Sequence, residues 1–227
     1  MNKLELTLKN HIDSSIEDAM KYKSKISNHP GILSLRGMSS HWNRHLMNNL
    51  CNIGNLSYLE IGCWWGSTFI SANYQNNPIQ SIAIDKVIVN DPNVDPVDEN
   101  GLLGNCNKFL PPNSFKFFKE DSFEIDIKKT FDYPINVYFY DGWHSPEAQY
   151  EALTYYYDIY DDYLIWIIDD YGWEEVPESS KKAIKDLDMK IIHERELQSP
   201  LREGPKKSNV NDRDTWWNGL GIFLLKK

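Results

Sequence analysis

Apolar residues recur at steps of three and four between Glu5 and about Lys25, where Leu8, Ile12, Ile16, Ala19 and Met20 draw one narrow stripe. That period predicts a helix, and Asn28-His29-Pro30-Gly31 supplies its stop. Ser40 stands as an N-cap before a second helix reaching about Leu50, with Trp42, Leu46 and Leu50 on one face. Beyond it the pattern changes to short apolar runs separated by helical stretches. The runs are Tyr58–Ile61, Ser81–Ile84, Ser114–Phe118, Ile135–Tyr140 and Tyr163–Ile168, and the last is apolar throughout, as a strand covered on both faces should be. Helices are expected from Ser67 to about Asn73, near Leu102–Phe109, from a Ser145 cap with Pro146 in the first turn to about Tyr160, and from about Glu178 to Leu187. Strands from Met189 to Glu196 and Gly219 to Leu225 close the chain. This alternation predicts an α/β fold, with residues 1–50 as a helical extension and 51–227 as the main domain.

Of these elements, the first strand carries a distinctive turn. Tyr58–Ile61 runs into Gly62 and Gly66 and then a helix at Ser67, so the chain can bend sharply and offer free N–H groups to a polar ligand. Asp85 closes the second strand about 20 residues on, where nucleotide-binding folds place an acceptor for ribose hydroxyls. The other strands also end in acids at the same edge: Glu120-Asp121, Asp141 and Asp169-Asp170. Ligands of an open parallel sheet bind outside the carboxyl ends of its strands. Two subsites are therefore read there. Glu60, Gly62, Gly66, Asp85 and Asp121 face a nucleoside-like cofactor, while repulsion among Asp141, Asp169 and Asp170 is relieved by a hard divalent cation such as Mg²⁺. A hydrogen-bonded acidic rim without metal is the alternative for the trio.

Composition narrows the partners. The chain has 227 residues, 41% hydrophobic, enough for one large domain. A net charge of −9 argues against nucleic acid. Cys51, Cys63 and Cys106 fall into no paired or zinc-binding spacing, and the polar N-terminus has no run suited to a signal peptide or membrane span. A cytoplasmic protein is expected, with a small-molecule acceptor as partner and a homo-oligomer left open.

The residues that carry chemistry bring a resemblance with them. Through Leu59-Glu60-Ile61-Gly62, Gly66-Ser67, Asp85, Glu120-Asp121-Ser122, Asp141-Gly142 with His144, and Asp169-Asp170, the sequence resembles the class I S-adenosylmethionine-dependent methyltransferases. Within them it is most similar to the metal-dependent sugar O-methyltransferases of macrolide and aminocoumarin type and to marine microbial and phage relatives. The match spans about Gly37 to Lys227. It implies a Rossmann-like, seven-stranded, mostly parallel sheet with an antiparallel last strand and helices on both faces. It further implies that Glu60, Gly62, Trp64, Gly66 and Ser67 hold the methionine part of S-adenosylmethionine, Asp85 the ribose and Asp121-Ser122 the adenine, with Asp141 at the same site. Asp141, Asp169 and Asp170 are the implied Mg²⁺ ligands. There are departures: Trp64 stands where many nucleotide folds have a glycine, and Trp143 where some sugar O-methyltransferases carry an acidic base.

Methyl transfer from a sulfonium needs an in-line oxygen and something to take its proton, and His144 beside Asp141 is the candidate base. A histidine that only hydrogen-bonds its own loop or Asp169 is the alternative. Trp64, Trp65 and Trp143 are candidates for cofactor contact, with core packing as the other reading. An NAD-dependent oxidoreductase lacks its G-x-G-x-x-G spacing here, and a non-catalytic methyltransferase-like module is the remaining rival. Leu35–Ser39 reads as a connector or a lid. Gln198–Trp217, with Arg202, Lys206, Lys207 and Arg213, is too long for a plain hairpin and reads as a solvated loop or as a complement to an anionic acceptor.

Overall fold

The computed structural model describes residues 1–86, 101–198 and 213–227. Arg202, Lys206 and Lys207, and the Val87–Asn100 part of the long connection, lie outside the described residues. Seven strands form one sheet: β1 (Ser57–Ile61), β2 (Gln80–Ile84), β3 (Lys116–Phe118), β4 (Ile135–Tyr140), β5 (Tyr160–Ile168), β6 (Lys190–Leu197) and β7 (Leu220–Lys226). Their order is β3-β2-β1-β4-β5-β7-β6. β1 pairs in parallel with both β2 and β4, so strand order reverses beside β1, and the glycine turn follows that strand. β7 is antiparallel to both β5 and β6. The expected α/β, Rossmann-like sheet with an antiparallel last strand is the observed one.

Helices cover both faces because the strands alternate their apolar side chains. One face of the sheet (Tyr58, Val137, Phe139, Ile165, Ile222, Leu224) shares a core with the N-terminal half. That half comprises α1 (Lys3–Met20), α2 (Pro30–Leu33), α3 (His41–Leu50), α4 (Ser67–Asn73) and α5 (Leu102–Phe109). The opposite face (Leu59, Ile61, Tyr138, Trp166, Phe223) packs with α7 (Pro146–Thr154) and α8 (Glu175–Asp186), and the short α6 (Ile127–Thr130) lies between β3 and β4 in the chain. Capping sets several boundaries. Ser40 accepts from the Asn43 N–H at 3.0 Å and Ser145 from the Ala148 N–H at 3.3 Å, each satisfying a donor that a helix N-terminus leaves free.

Two expected boundaries move. α1 ends at Met20 rather than near Lys25, and Pro30, read as a terminator, instead opens α2, where its missing N–H costs nothing. The helix after Ser145 stops at Thr154, and Tyr156 and Tyr160 turn inward against Tyr138, with ring centroids 5.9 and 6.2 Å away. Among the described residues no helix is long and apolar enough to cross a membrane.

Candidate active site

The turn after β1 is built from left-handed backbone. Gly62 has φ +84°, and a Cβ there would stand 1.8 Å from the Asp141 carbonyl, because the ends of β1 and β4 close on each other at this point. Gly66 has φ +79° and admits the chain to α4. Between them Trp64 adopts φ +43°, a conformation that a bulky side chain disfavours, and its N–H donates to Asp85 Oδ2 at 2.6 Å. Asp85, at the end of β2, thus holds the turn from the neighbouring strand.

Above this turn lies a cavity of ≈ 680 Å³. Gly62, Trp64, Ser67, Asp85, Asp121, Ser122 and Asp141 all line it, so the structure brings together most of the expected cofactor residues. Gly66 sets the backbone without lining the cavity. Asp121 forms the far wall, where the Phe123 N–H and then the Lys86 ammonium, 2.9 Å away, hold its carboxyl below the usual range. Tyr156 donates to the Ser122 carbonyl and fixes that corner. None of the three tryptophans is plain core: Trp64 and Trp65 are half-buried under the Arg36 guanidinium, 5.4 and 4.6 Å from their ring centroids, and Trp143 is 75% exposed at the rim.

Glu60 sits one layer down. It is fully buried beneath the turn, and accepts from the Tyr58 hydroxyl and from Thr68 Oγ1 at 2.7 Å. Burial raises its carboxyl to about 8, against the opposing pull of those two donors. Its place is under the cavity floor rather than on the lining.

The acids after β4 and β5 meet at the adjoining corner. Asp141 keeps 32% of its side chain exposed, whereas Asp169 is buried. Burial and then the Asp170 charge raise the Asp141 carboxyl well above the ordinary range, and burial followed by the charges of Asp141 and Asp170 does the same to Asp169. Asp170 has φ +51° and accepts from Asn218 Nδ2 at 2.7 Å. His144 Nε2 lies 3.6 Å from Asp141 Oδ1 and 3.8 Å from Asp170 Oδ2, and its side chain is 9% exposed. That ring opens not on the cavity above the Gly62–Ser67 turn but on a pocket of ≈ 480 Å³ shared with Trp173 and Glu178. As a donor set the three aspartates suit a hard cation, and Asp169 Oδ1 is buried with no hydrogen-bond partner among the described residues. As placed, however, among the described residues no group of three or more His, Cys, Asp or Glu side chains converges to hold a metal ion.

The Leu35–Ser39 loop closes the near side of the cavity, and a residue not anticipated from the sequence holds it. Arg44, buried in α3, donates to the carbonyls of Ile32, Leu33 and Leu35 at 3.0, 2.9 and 2.8 Å and to Ser39 Oγ at 3.1 Å. Burial lowers its guanidinium to about 10. Ser39 Oγ in turn meets Ser67 Oγ at 3.0 Å, and a Cβ at Gly37 would stand 2.0 Å from that same oxygen, so the loop lies directly on the start of α4. The signal was present: Arg44 falls three residues before buried Met47, at the spacing of the apolar face.

No protein-family model and no curated protein matches the sequence. Solved structures do match in three dimensions. The chain is similar to a putative caffeoyl-CoA O-methyltransferase from Staphylococcus aureus (12% identity, TM-score 0.58), over 96% of this chain and 100% of that one. The fold is the Rossmann-like methyltransferase fold. A second likeness is to SMU.776, a putative methyltransferase complexed with SAH (9% identity, TM-score 0.55), over 85% of this chain and 50% of that one. A third is to a precorrin-8w decarboxylase from Methanobacterium thermoautotrophicum (17% identity, TM-score 0.55), over 86% of this chain and 94% of that one. These likenesses concern the fold; the chemistry has to be argued from the site.

Proposed function

We propose that this protein is an S-adenosylmethionine-dependent methyltransferase acting on a hydroxyl of a small, sugar-like acceptor, with help from a divalent cation. The observation that carries the reading is the ≈ 680 Å³ cavity over the Gly62–Ser67 turn, whose lining combines Asp85, Asp121 and Asp141 with the aromatic rings of Trp64 and Trp143. Carboxylates and ring faces suit a sulfonium, the cationic centre of the cofactor. In this reading Asp85 accepts from the ribose hydroxyls and Asp121-Ser122 face the adenine end. In the transfer, the sulfonium S–CH₃ bond breaks as the O–CH₃ bond forms, and S-adenosylhomocysteine leaves as a neutral thioether. The acceptor proton must go to the protein. Asp141 is the member of the acidic corner that lines the cavity, and we take it as the first proton acceptor, with His144 Nε2 3.6 Å behind it as the onward place. Asp141, Asp169 and Asp170 would be the ligands of a hard cation if they closed on one, and it would supply Lewis acidity toward the acceptor hydroxyl.

Calorimetry with S-adenosylmethionine, S-adenosylhomocysteine and NAD, with and without Mg²⁺, followed by product assay on hydroxylated acceptors, tests this directly. Binding of NAD alone would give the site to hydride chemistry, and cofactor binding without turnover on any acceptor to a non-catalytic module. Asp169→Asn is expected to abolish cation-dependent transfer while leaving cofactor affinity nearly intact. Full activity after exhaustive chelation would remove the cation from the mechanism and leave Asp141 and His144 to act alone.

A further inference from the structure

On the other side of the Leu35–Ser39 loop lies a second, larger cavity of ≈ 1240 Å³. Gly37, Met38, Ser39 and Trp64 line both cavities, so one loop and one ring form their common wall. The charge of the two could hardly differ more. Arg36, His41, Arg44, His45 and Arg213 line the second cavity, and among the described lining residues there is no aspartate or glutamate, in a chain whose net charge is −9. The remaining polar wall consists of hydroxyls, Ser27, Ser34 and Ser40 among them.

These groups are held in place. The Trp42 N–H at the start of α3 donates to the Arg213 carbonyl at 3.3 Å, bringing that residue beside His41. Arg44 uses four of its N–H bonds on the loop. A guanidinium carries about five, so one on Nη2 is left. The local field is positive: His41 is depressed by burial, and then by Arg213 and Arg44. His45 adds an independent observation. It is fully buried, its Nδ1 lies 2.7 Å from Ser24 Oγ, and Ser24 Oγ already accepts from the Ile26 N–H at 3.2 Å. The Ser24 hydroxyl has no other acceptor among the described residues, so it donates to Nδ1 and the ring proton sits on Nε2. Nε2 is buried and has no hydrogen-bond partner among the described residues. A buried donor without an acceptor, beside several cations, calls for a ligand rich in acceptor oxygens.

We infer that this second cavity is a binding site for a small molecule carrying an oxyanion, a phosphoryl or carboxylate group, engaged by Arg36, Arg213, His45 and the free Nη2 hydrogen of Arg44. The assignment stands without the methyltransferase reading, since no part of it involves the cofactor. It is tested on the full chain, without cofactor, by calorimetry at low ionic strength with inorganic phosphate, glucose 6-phosphate, glucuronate and glucose. Phosphate-bearing ligands, glucuronate or both should bind, and glucose should not; which of the two binds identifies the oxyanion. Arg36→Gln and Arg213→Gln, both at exposed positions, should each weaken that binding at least fivefold with unchanged circular dichroism, and the His45 ring signals should shift on titration. Equal binding of glucose and glucose 6-phosphate would overturn the inference. So would no binding of any anion, or affinities unaltered in both arginine variants. Anion binding with no S-adenosylmethionine binding would keep this site and discard the proposed function, and the converse result would do the reverse.

Discussion

The two cavities on either side of the Leu35–Ser39 loop are opposites in origin as well as in charge. The cofactor cavity rests on backbone: left-handed Gly62, Trp64 and Gly66 fall within five consecutive residues, and acids at successive strand ends are brought to it by the parallel sheet. The basic cavity rests on side chains, most of them between Arg36 and His45 on and before α3, with Arg213 brought to them from the entry to β7. A net charge of −9 thus describes neither. It averages over a whole surface that includes an acidic edge suited to a cation and a basic recess suited to an anion, separated by the thickness of one loop. Local geometry can be read along a sequence, whereas convergence of distant side chains has to be seen in space.

The separation can be broken most severely at the turn. Gly62→Ala would put a methyl group 1.8 Å from the Asp141 carbonyl at a φ of +84°. Strain of that kind is expected to cost on the order of 3 kcal/mol or more, read as a fall in the urea midpoint together with loss of S-adenosylhomocysteine binding. Asp85→Ala should act on one cavity only. Removing its carboxylate takes away both the ribose acceptor and the partner of the Trp64 N–H, and cofactor binding should weaken by about 1.5–3 kcal/mol while phosphate binding is untouched. Unchanged cofactor affinity in that variant would show the ribose assignment to be wrong.

Gly37→Ala tests the shared wall. Its Cβ would approach Ser67 Oγ to 2.0 Å and Ser67 Cβ to 2.6 Å, so the loop must lift. Overpacking of this sort costs about 1–3 kcal/mol, and here affinities for cofactor and phosphate should fall together. A loss confined to one ligand would mean that the cavities are mechanically independent. The mildest change is Glu60→Gln. The folded carboxyl keeps its proton up to about pH 8, against an ordinary value of 4.5, so folding takes up a proton between those limits. The stability it contributes is therefore full below pH 4.5 and is lost as pH rises toward 8. Glu60→Gln should flatten the decline measured by urea denaturation at pH 5.5 and 8; the slope that persists belongs to Asp141 and Asp169, which are shifted the same way.

Much of the sheet was legible because its signals are local. β4 was bounded at Ile135 and Tyr140 by its apolar run and the following Asp141-Gly142, and α3 and α7 by serine caps that the structure realises as hydrogen bonds. Failures occurred where a residue answers to something outside its neighbourhood. Pro30 reads equally as a stop or a start until the chain after it is seen to pack Ile32 into the core. Tyr156 and Tyr160 continue a helical pattern, but Tyr138 on the sheet claims both rings. At the site, the strand-end acids were visible by position, whereas the burial of Glu60 beneath the turn and the opening of His144 on the far side of Asp141 depend on side-chain direction. His41, Arg44 and His45 share a helical spacing, but nothing in the sequence joined them to Arg36 or to the distant Arg213.

The antiparallel course of β7 has an evolutionary consequence. Leu197 at the end of β6 pairs with Leu220 at the start of β7, so the connection between them begins and ends as neighbours anchored at the strand ends of the cofactor edge. Closing a loop between fixed neighbours becomes only slowly more expensive as it grows, by about 0.6 kcal/mol for each doubling of its length. Insertions and deletions between Gln198 and Arg213 therefore cost the sheet little, whereas the stretch that follows is held, with Trp216 buried against Trp42 and the Thr215 carbonyl accepting from Ser40. Selection can change the length of the chain there without reopening the question of how it folds.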